Sequence, residues 1–277
     1  MSDEPASAYS TLPGDGPYET RLGSALITLV EPNEGHDHAY NRWYEDDHFY
    51  SGAMAMPWMF AGRRWVATRD LQALRYPDPS AIAAPLAAGK YLATYWITDG
   101  RYDDHLRWTV ATNQRLLPDG RIYLDRSHVY TSFQQYTGAV YRDAAGPRDI
   151  HALDHPYQGL VLEVVDAPPD GSRAELDRWL RAEHLPARLR GSSAAMTLIF
   201  EPIPLPADRM SYVDDVPGLE RRLTLLTLTD DPAADGWAQT FAPTGAAVRD
   251  AGVGQVELAA PFLPTIPGTD TYVDQLR

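Results

Sequence analysis

Two segments of the chain carry the same pattern of apolar and polar positions, 136 residues apart. Each begins with a short apolar run rich in β-branched residues, Gly23–Pro32 in the first segment and Gly159–Pro168 in the second. Such runs, ended by proline and turn-forming residues, are typical of strands. Without a gap, Asn41–Phe49 then falls on Asp177–Leu185, so that Arg, Trp, an acidic residue and His recur in register. The pattern indicates an internal duplication.

A helix is predicted after the strand in both segments. The recurring residues follow the i, i+3, i+4, i+7, i+8 spacing that places side chains on one face of an α-helix. In the first segment this stripe consists of Tyr40, Trp43, Tyr44, Asp47 and His48. In the second it consists of Leu176, Trp179, Leu180, Glu183 and His184. The spacing therefore predicts an α-helix that continues through each histidine.

Each half continues with a strand, a proline-rich connector, a third strand, a second helix and a last strand. The order βαββαβ is that of the ferredoxin-like unit. We therefore predict an α+β protein of two tandem ferredoxin-like repeats, each with an antiparallel sheet and helices on one face. The predicted boundaries are an N-terminal tail at residues 1–19, repeat 1 at 20–140, a linker at 141–156 and repeat 2 at 157–277.

The recurring phrase resembles the EthD-like branch of the dimeric α/β-barrel superfamily, where it reads Trp-x-x-x-x-His-Leu-Pro. In the second segment the match is complete, at Trp179, His184, Leu185 and Pro186. In the first segment Trp43 and His48 match, and Phe49 and Tyr50 stand in place of Leu-Pro. The resemblance covers roughly residues 20–275. It implies that the sheets of the two repeats, joined here by tandem duplication, face each other as an α/β barrel.

The superfamily includes cofactor-free monooxygenases of polyketide pathways, isomerases, decarboxylases, dehydratases and haem enzymes. The shared fold therefore decides little about the reaction. The resemblance implies a small-molecule substrate as the partner, and a homodimer is one state that it allows.

Composition narrows the classes of function. The net charge of −14, from 38 acidic and 24 basic residues, repels phosphate backbones, so nucleic acid is not an expected partner. The chain has no cysteine, which excludes thiol nucleophiles and cysteine-ligated metals, and Lys90 is its single lysine. No apolar run reaches the roughly 18 residues of a membrane span, and the N-terminal region lacks the features of a signal peptide. We therefore expect a cytoplasmic protein without membrane contacts.

Four residues of the first stripe are candidate catalytic residues. His48 is a candidate general acid or base because imidazole titrates near neutral pH, and Asp47 beside it is expected to fix its charge state. Tyr40 and Tyr44 replace leucines of the second stripe, and a buried phenol needs a hydrogen-bond partner, so we expect one of them to orient the substrate. The first repeat is therefore predicted to hold the active site. The alternative is a histidine that only caps helix carbonyls.

Six further residues are candidates for substrate binding: Trp43, Trp58, His128, Tyr130, Trp179 and His184. His128 and Tyr130 alternate with Val129 in the predicted fourth strand, so we expect them to share one face of the sheet. For the tryptophans the alternative is packing within a core, and for the strand residues it is a solvent-facing surface.

No metal or cofactor is predicted. His36 and His38 form a His-x-His fragment of the kind that binds divalent ions, but they lie in a predicted turn and are interpreted as solvated loop histidines. A haem iron would need an axial ligand, for which His184 on its helix is the candidate.

Together these features predict a cofactor-independent lyase or isomerase that dehydrates, decarboxylates or cyclises a small aromatic or polyketide-like compound. Such a step needs only a histidine acid or base in a dry, shaped pocket. One alternative is a cofactor-free or reduced-flavin-assisted monooxygenase that uses the same histidine and tyrosines. Another is a non-catalytic binding or stress-associated protein. The enzyme interpretation depends on convergence of the set Tyr40, Trp43, His48, His128 and Tyr130 on one cavity.

Overall fold

The structure, a computed structural model, describes residues 19–204 and 218–277. Residues 1–18 of the predicted N-terminal tail lie outside the described residues. Each predicted repeat supplies four strands. In the first repeat these are β1 (Leu22–Pro32), β2 (Met59–Val66), β3 (Tyr91–Thr98) and β4 (Arg126–Tyr141). In the second they are β5 (Gly159–Asp166), β6 (Ala194–Ile203), β7 (Arg222–Thr229) and β8 (Gln255–Pro264).

The spatial order of the strands is the same in both repeats. It is β4-β1-β3-β2 in the first and β8-β5-β7-β6 in the second, which is the ferredoxin-like order. The pairs β2–β8 and β4–β6 join the two sheets into one closed antiparallel barrel. The predicted fold class, two ferredoxin-like repeats that together form an α+β barrel, is confirmed.

The helices pack against the outer faces of the sheets. In the first repeat they are α1 (Asp37–Trp43), α2 (Arg69–Gln72) and α3 (Tyr102–Leu116). In the second they are α4 (Arg173–Trp179), α5 (Leu185–Leu189), α6 (Trp237–Thr240) and α7 (Thr244–Asp250). None of the helices within the described ranges is both long and apolar enough to span a membrane.

Alternation along the strands divides the buried side chains between two sides of the barrel wall. Side chains from both repeats, among them Ile27, Trp65, Trp96 and Phe200, form one core inside the barrel. The outward-facing residues pack under the helices in two further clusters, one in each repeat. Because successive strand residues point to opposite faces, each strand contributes side chains both to the inner core and to an outer layer.

The helical segment after β1 differs from the prediction. It is α-helical only as far as Trp43, and Tyr44–His48 and Tyr50–Met54 then form wider π-helical turns. The second repeat has the same feature at Leu180–His184, 136 residues further along the chain. A π turn closes its hydrogen bond over five residues instead of four, so it places His48 over Trp43, five residues earlier in the chain.

The residues after β8 pack across the first repeat. Asn41 Nδ2 donates to the carbonyl oxygen of Thr269 at 2.9 Å, and Arg277 forms an ion pair with Asp37 at 2.7 Å. Val273 is buried in the same cluster as the aromatic residues of α1. This segment therefore covers the outer layer of the first repeat.

A buried ion pair lies between the sheet and the helices of the second repeat. Arg188 Nη1 donates to both carboxylate oxygens of Glu163, at 2.8 and 2.7 Å. Its Nη2 donates to the hydroxyls of Thr227 and Thr197, at 2.9 and 3.3 Å. Glu163 is 0% exposed and Arg188 is 8% exposed. The arginine thus fills the layer between sheet and helices with a polar side chain whose two terminal nitrogens are hydrogen-bonded.

We predict that Arg188→Ala lowers the free energy of unfolding by about 3–5 kcal/mol, because it leaves the Glu163 carboxylate buried without its counter-charge. Urea unfolding measures the loss. The matched control is Arg181→Ala, which breaks an ion pair with Asp177 in which both side chains are more than a quarter exposed. For such a pair the expected loss is about 0–1 kcal/mol. Equal losses in the two variants would contradict the prediction.

Candidate active site

A cavity of about 130 Å³ lies in the first repeat, between the outer face of β1 and β4, the π-helical turns and α3. Its apolar lining consists of Leu26, Val30, Ala53, Met56, Met59, Leu106, Val110 and Phe133. Its polar lining consists of Thr28, Tyr40, Tyr44, His48, Tyr95, Thr109, Asn113, Arg126, His128 and Thr131. No carboxylate of the described residues lines it. An apolar enclosure with a few convergent polar groups is typical of small-molecule sites.

His48 lines the cavity from the end of the first π turn. Its ring stacks on Trp43, with ring centroids 4.3 Å apart and planes inclined by 19°. A Cβ atom at Gly52 would lie 2.2 Å from Nδ1 of the ring, so the ring position requires glycine there. Nδ1 is buried against this turn without a hydrogen-bond partner.

His48 is a neutral imidazole at neutral pH. Burial, together with the positive charge of Arg126, lowers the pKa of His48 to about 3. The negative charge of Asp47 raises this pKa, but by less than burial and Arg126 lower it. The ring therefore has no imidazolium proton to donate at neutral pH, and in the empty cavity it is a weak base.

Asp47 was expected to fix the charge state of His48, but burial and Arg126 outweigh its effect on the His48 pKa. Its carboxylate forms an ion pair with Arg121 and accepts a hydrogen bond from Oγ of Ser51 at 3.0 Å. The Arg121 side chain lowers the pKa of Asp47. Consecutive residues of a helix do not face each other, so Asp47 points to the surface when His48 points to the cavity.

Tyr40 and Tyr44 line the cavity, but both also surround a buried guanidinium. The Arg64 guanidinium lies 4.3 Å from the ring centroid of Tyr44 and 5.9 Å from that of Tyr40. The hydroxyl of Tyr44 lies 2.6 Å from that of Tyr95. Burial raises the pKa of both Tyr40 and Tyr44, so their phenols stay protonated.

The second repeat has leucines in place of these tyrosines, and an isoleucine at the strand position that corresponds to Arg64. Arg64 on β2 pairs with Ala93 on β3, and at the corresponding place in the second repeat Ile199 on β6 pairs with Leu225 on β7. Leucines suffice to cover an isoleucine, whereas aromatic faces attract a guanidinium. The phenols of the first stripe therefore have a structural role as well as a place in the cavity wall.

His128 and Tyr130 do not share a face of the sheet as predicted. On β1, Leu29 pairs with Tyr130 and the next residue, Val30, pairs with His128, so Val129 is the extra residue of a β-bulge. His128 faces the cavity, whereas Tyr130 points into the barrel, where its hydroxyl lies 3.0 Å from that of Thr224. A bulge breaks the period of two on which the prediction depended.

The tryptophan candidates do not line the cavity. The Trp43 ring stacks on His48, and its Nε1 donates a hydrogen bond to the carbonyl oxygen of Arg121 at 2.8 Å. Trp58 lies under the guanidinium of Arg101, 4.3 Å from ring centroid to Cζ. Trp179 and His184 form the equivalent stack in the second repeat, with centroids 5.0 Å apart. The structure thus brings together Tyr40, Tyr44, His48 and His128 in the cavity wall, with Trp43 packed against His48 outside it. The remaining candidates do not line the cavity: Asp47, Trp58, Tyr130, Trp179 and His184.

In the second repeat a buried side chain, that of Arg188, occupies the corresponding layer between sheet and helices. Arg188 stands 136 residues after Gly52. Thr197 accepts a hydrogen bond from Arg188. It pairs with Thr227 at the place where Gly62 pairs with Tyr95 in the first repeat, so Thr197 is the counterpart of Gly62. The first repeat thus has Gly52 and Gly62 where the second has Arg188 and Thr197. These differences leave the layer between sheet and helices open in the first repeat and fill it in the second.

Sequence reasoning missed Arg126, Thr28 and Gly52. Arg126 and Thr28 look like ordinary polar strand residues until the pairing of β1 with β4 is known. Gly52 carried a usable signal, because the repeat offset aligns it with the large side chain of Arg188.

We predict that Gly52→Ala displaces the His48 ring from Trp43 and lowers the free energy of unfolding by about 1–3 kcal/mol through overpacking. Urea unfolding and the NMR shifts of the His48 ring protons measure both effects. Gly236→Ala is the control, since its Cβ would meet only Oγ1 of Thr240, at 3.3 Å. Adding His48→Ala to Gly52→Ala should restore part of the stability. A further loss in the double variant would contradict the steric explanation.

We predict that stability falls as the pH is lowered from about 6.5. The folded-state pKa values are about 3 for His48 and His128 and about 4 for His184, whereas unfolded histidine has a pKa near 6.5. The unfolded chain therefore binds more protons in this window, and each histidine removes about 1–2 kcal/mol of stability at pH 5.

Thermal melts between pH 5 and 7.5 test this dependence, since most carboxylates stay ionised in that range. His48→Phe retains an aromatic ring against Trp43 and should flatten the dependence. An unchanged pH dependence in this variant would show that His48 does not contribute to it.

The residues around His184 do not fit a haem group. Its Nε2 is buried without a hydrogen-bond partner, but Arg188 and Phe241 already occupy the layer beside it. The open groove next to His184 is lined mainly by polar side chains such as Gln239 and Thr240. Among the described residues, no three His, Asp or Glu side chains lie close enough together to hold a metal ion.

Solved structures share this fold at low sequence identity. An anthrone oxidase-like protein is 13% identical with a TM-score of 0.55, over 90% of this chain and 95% of that one. A dye-decolorizing peroxidase from Bacteroides thetaiotaomicron VPI-5482 is 8% identical with a TM-score of 0.51, over 95% and 99% of the two chains. A DypB variant from Rhodococcus jostii RHA1 in complex with heme is 10% identical with a TM-score of 0.50, over 92% and 95%. Neither a family model nor a curated protein matches the sequence. The chain therefore has the ferredoxin-like α+β barrel fold of these structures.

Proposed function

We propose that the protein is a cofactor-independent oxygenase of a monocyclic, electron-rich phenol, with its active site in the first repeat. The observation that carries the proposal is a neutral histidine and an arginine in the wall of one small apolar cavity. The likeness of the fold to an anthrone oxidase-like protein agrees with this choice. It does not decide the reaction, because the fold hosts many functions.

His48 would take the phenolic proton. An imidazole with a pKa of about 3 is a weak base in the empty cavity. A phenolate formed beside it changes this balance, because an opposite charge within about 4–6 Å favours the protonated ring. Arg126 in the same wall supplies a fixed positive charge for the oxyanion. Proton transfer would therefore create an ion pair inside an apolar enclosure.

The deprotonated ring would then react with dioxygen. One electron passes from the phenolate to dioxygen, and the resulting radicals combine to form a carbon–oxygen bond at a ring carbon. Loss of the ring proton and cleavage of the oxygen–oxygen bond release water and leave a quinone. One phenol and one dioxygen thus give one quinone and one water, and all the electrons come from the substrate.

The cavity favours oxygenation over a lyase or isomerase step. Dehydration needs a group that protonates the leaving hydroxyl, yet His48 and His128 both have a pKa of about 3 and are neutral. Burial raises the pKa of the tyrosines in the wall, which makes them weaker acids. The lyase or isomerase alternative uses the same base, and it differs by needing no oxygen.

The size of the cavity limits the substrate to one ring. Its volume of about 130 Å³ is close to that of an engineered cavity of about 150 Å³ that binds benzene. A fused polyketide-like ring system would require displacement of α3, which forms one wall of the cavity. A monocyclic phenol is therefore the substrate class that the cavity fits as it stands.

We also infer that the two repeats arose by tandem duplication, in an EthD-like lineage. The support is the common strand order, the π-helical turns at the same offset and the Trp–His stack in each repeat. Duplication leaves one copy free to lose its cavity, as at Arg188.

We predict that the protein consumes oxygen with a panel of alkyl- and methoxy-substituted phenols. His48→Ala should lower the rate about 100-fold or more, the usual scale for a positioned acid or base. The matched control is His184→Ala, which removes the stacked histidine of the other repeat and should leave the rate unchanged in folded protein.

An oxygen electrode with product analysis, run in air and under nitrogen, separates the alternatives. Conversion under nitrogen would reject oxygenation in favour of a lyase or isomerase. Binding of phenols without any conversion would favour the non-catalytic interpretation. A full rate in His48→Ala would remove His48 from the mechanism.

A further inference from the structure

Four polar side chains at one end of the cavity form a continuous hydrogen-bond chain. Nε of Arg126 donates to Nε2 of His128 at 3.4 Å. Nδ1 of His128 lies 2.6 Å from Oγ1 of Thr131, which lies 2.8 Å from Oγ1 of Thr28. Thr28 and Thr131 are direct partners in the pairing of β1 with β4. The sheet itself therefore sets the spacing of the last two members.

The direction of this chain is set at the Arg126 end. A guanidinium has donors and no acceptor, so Nε2 of His128 accepts and carries no proton. Burial and the charge of Arg126 lower the pKa of His128 to about 3, so the neutral ring has a single proton, on Nδ1. Nδ1 therefore donates to Thr131. Either threonine oxygen can be the donor in the next hydrogen bond, and we assign that proton to Thr131, so that the chain runs in one direction from Arg126 to Thr28.

The two threonine hydroxyls have two protons and one hydrogen bond between them, so one proton is left over. With Thr131 as the donor, this proton belongs to Thr28, whose side chain lines the cavity although the residue is only 7% exposed. A buried hydroxyl proton without an acceptor is unfavourable. A ligand that places an oxygen opposite Thr28 would supply the acceptor that the protein lacks.

We propose that Thr28 is a specificity-determining residue that donates a hydrogen bond to an acceptor oxygen on a bound monocyclic aromatic compound. His128 and Thr131 are positioning residues, which direct the Thr28 proton toward the cavity. The ligand class is an aromatic ring with a carbonyl, quinone or phenolate oxygen. The identification of this ring as a substrate rests on the proposed function, in which the oxygen that loses its proton to His48 becomes the acceptor for Thr28.

The test uses two probes of similar size, benzaldehyde and toluene, because benzaldehyde accepts a hydrogen bond and toluene does not. NMR titration gives both dissociation constants for the wild type and for Thr28→Val, Thr28→Ser and Thr131→Val. We expect the wild type and Thr28→Ser to prefer benzaldehyde by about tenfold, the scale of one net hydrogen bond. Thr28→Val should abolish the preference, and Thr131→Val should reduce it.

The matched control is Thr109→Val, which alters another threonine of the cavity wall. The Thr109 hydroxyl is already bonded to Nε2 of His105 at 2.9 Å, so this variant should keep the preference. The carbonyl stretch of bound benzaldehyde should lie at lower frequency in the wild type than in Thr28→Val, a change that loss of packing alone would not produce. ¹⁵N NMR should find the His128 proton on Nδ1.

Three results would overturn the proposal: a preference retained in Thr28→Val, a His128 proton on Nε2, or no binding of either probe to the wild type. These measurements do not depend on turnover. Absence of oxygen uptake would therefore reject the proposed function and leave the assignment of Thr28 intact. Oxygen uptake with an unchanged preference in Thr28→Val would do the reverse.

Discussion

The close approach of Gly52 to the ring of His48 is the contact on which the cavity depends. With no Cβ at this position, the imidazole lies against the π-helical turn, stacks on Trp43 and leaves the outer face of β1 and β4 open. The second repeat has the same π turn and the same stack, but Arg188 stands at this offset and reaches across to Glu163. The exchange of Gly52 for Arg188, with its partners Glu163 and Thr197, thus distinguishes the open layer of the first repeat from the filled layer of the second.

The electrostatic character of the cavity follows from its small size and apolar walls. Burial keeps the histidines in it neutral, so that Arg126 is the charged side chain of the described lining. In such surroundings an anion formed from a ligand meets a fixed cation and oriented donors rather than reorganising water. The hydrogen-bond chain from Arg126 to Thr28 extends the influence of that one charge along the strand pair.

The aromatic residues of the first stripe illustrate how a difference between repeats can mislead. Tyr40 and Tyr44 attract attention because the second repeat has leucines at these positions. In the structure they hold Arg64, whose guanidinium pairs with Glu45 and lies against their rings. The two tyrosines therefore help to stabilise a buried cation. Burial of a cation costs free energy unless the charge is paired.

The sequence by itself determined the repeated pattern and the order of strands and helices, and it showed that His48 lies beside tyrosines. These features depend on periodicity and on local residue preferences, which a single chain displays directly. The barrel was indicated only by the resemblance to a known superfamily. The tertiary structure alone decided which side chains meet. The bulge at Val129 turned Tyr130 into the barrel, the pairing of β1 with β4 brought Thr28 to Thr131, and Asp47 turned to Arg121. Bulges, register and π turns are set by packing between segments far apart in the chain, and a periodic pattern carries no information about that packing.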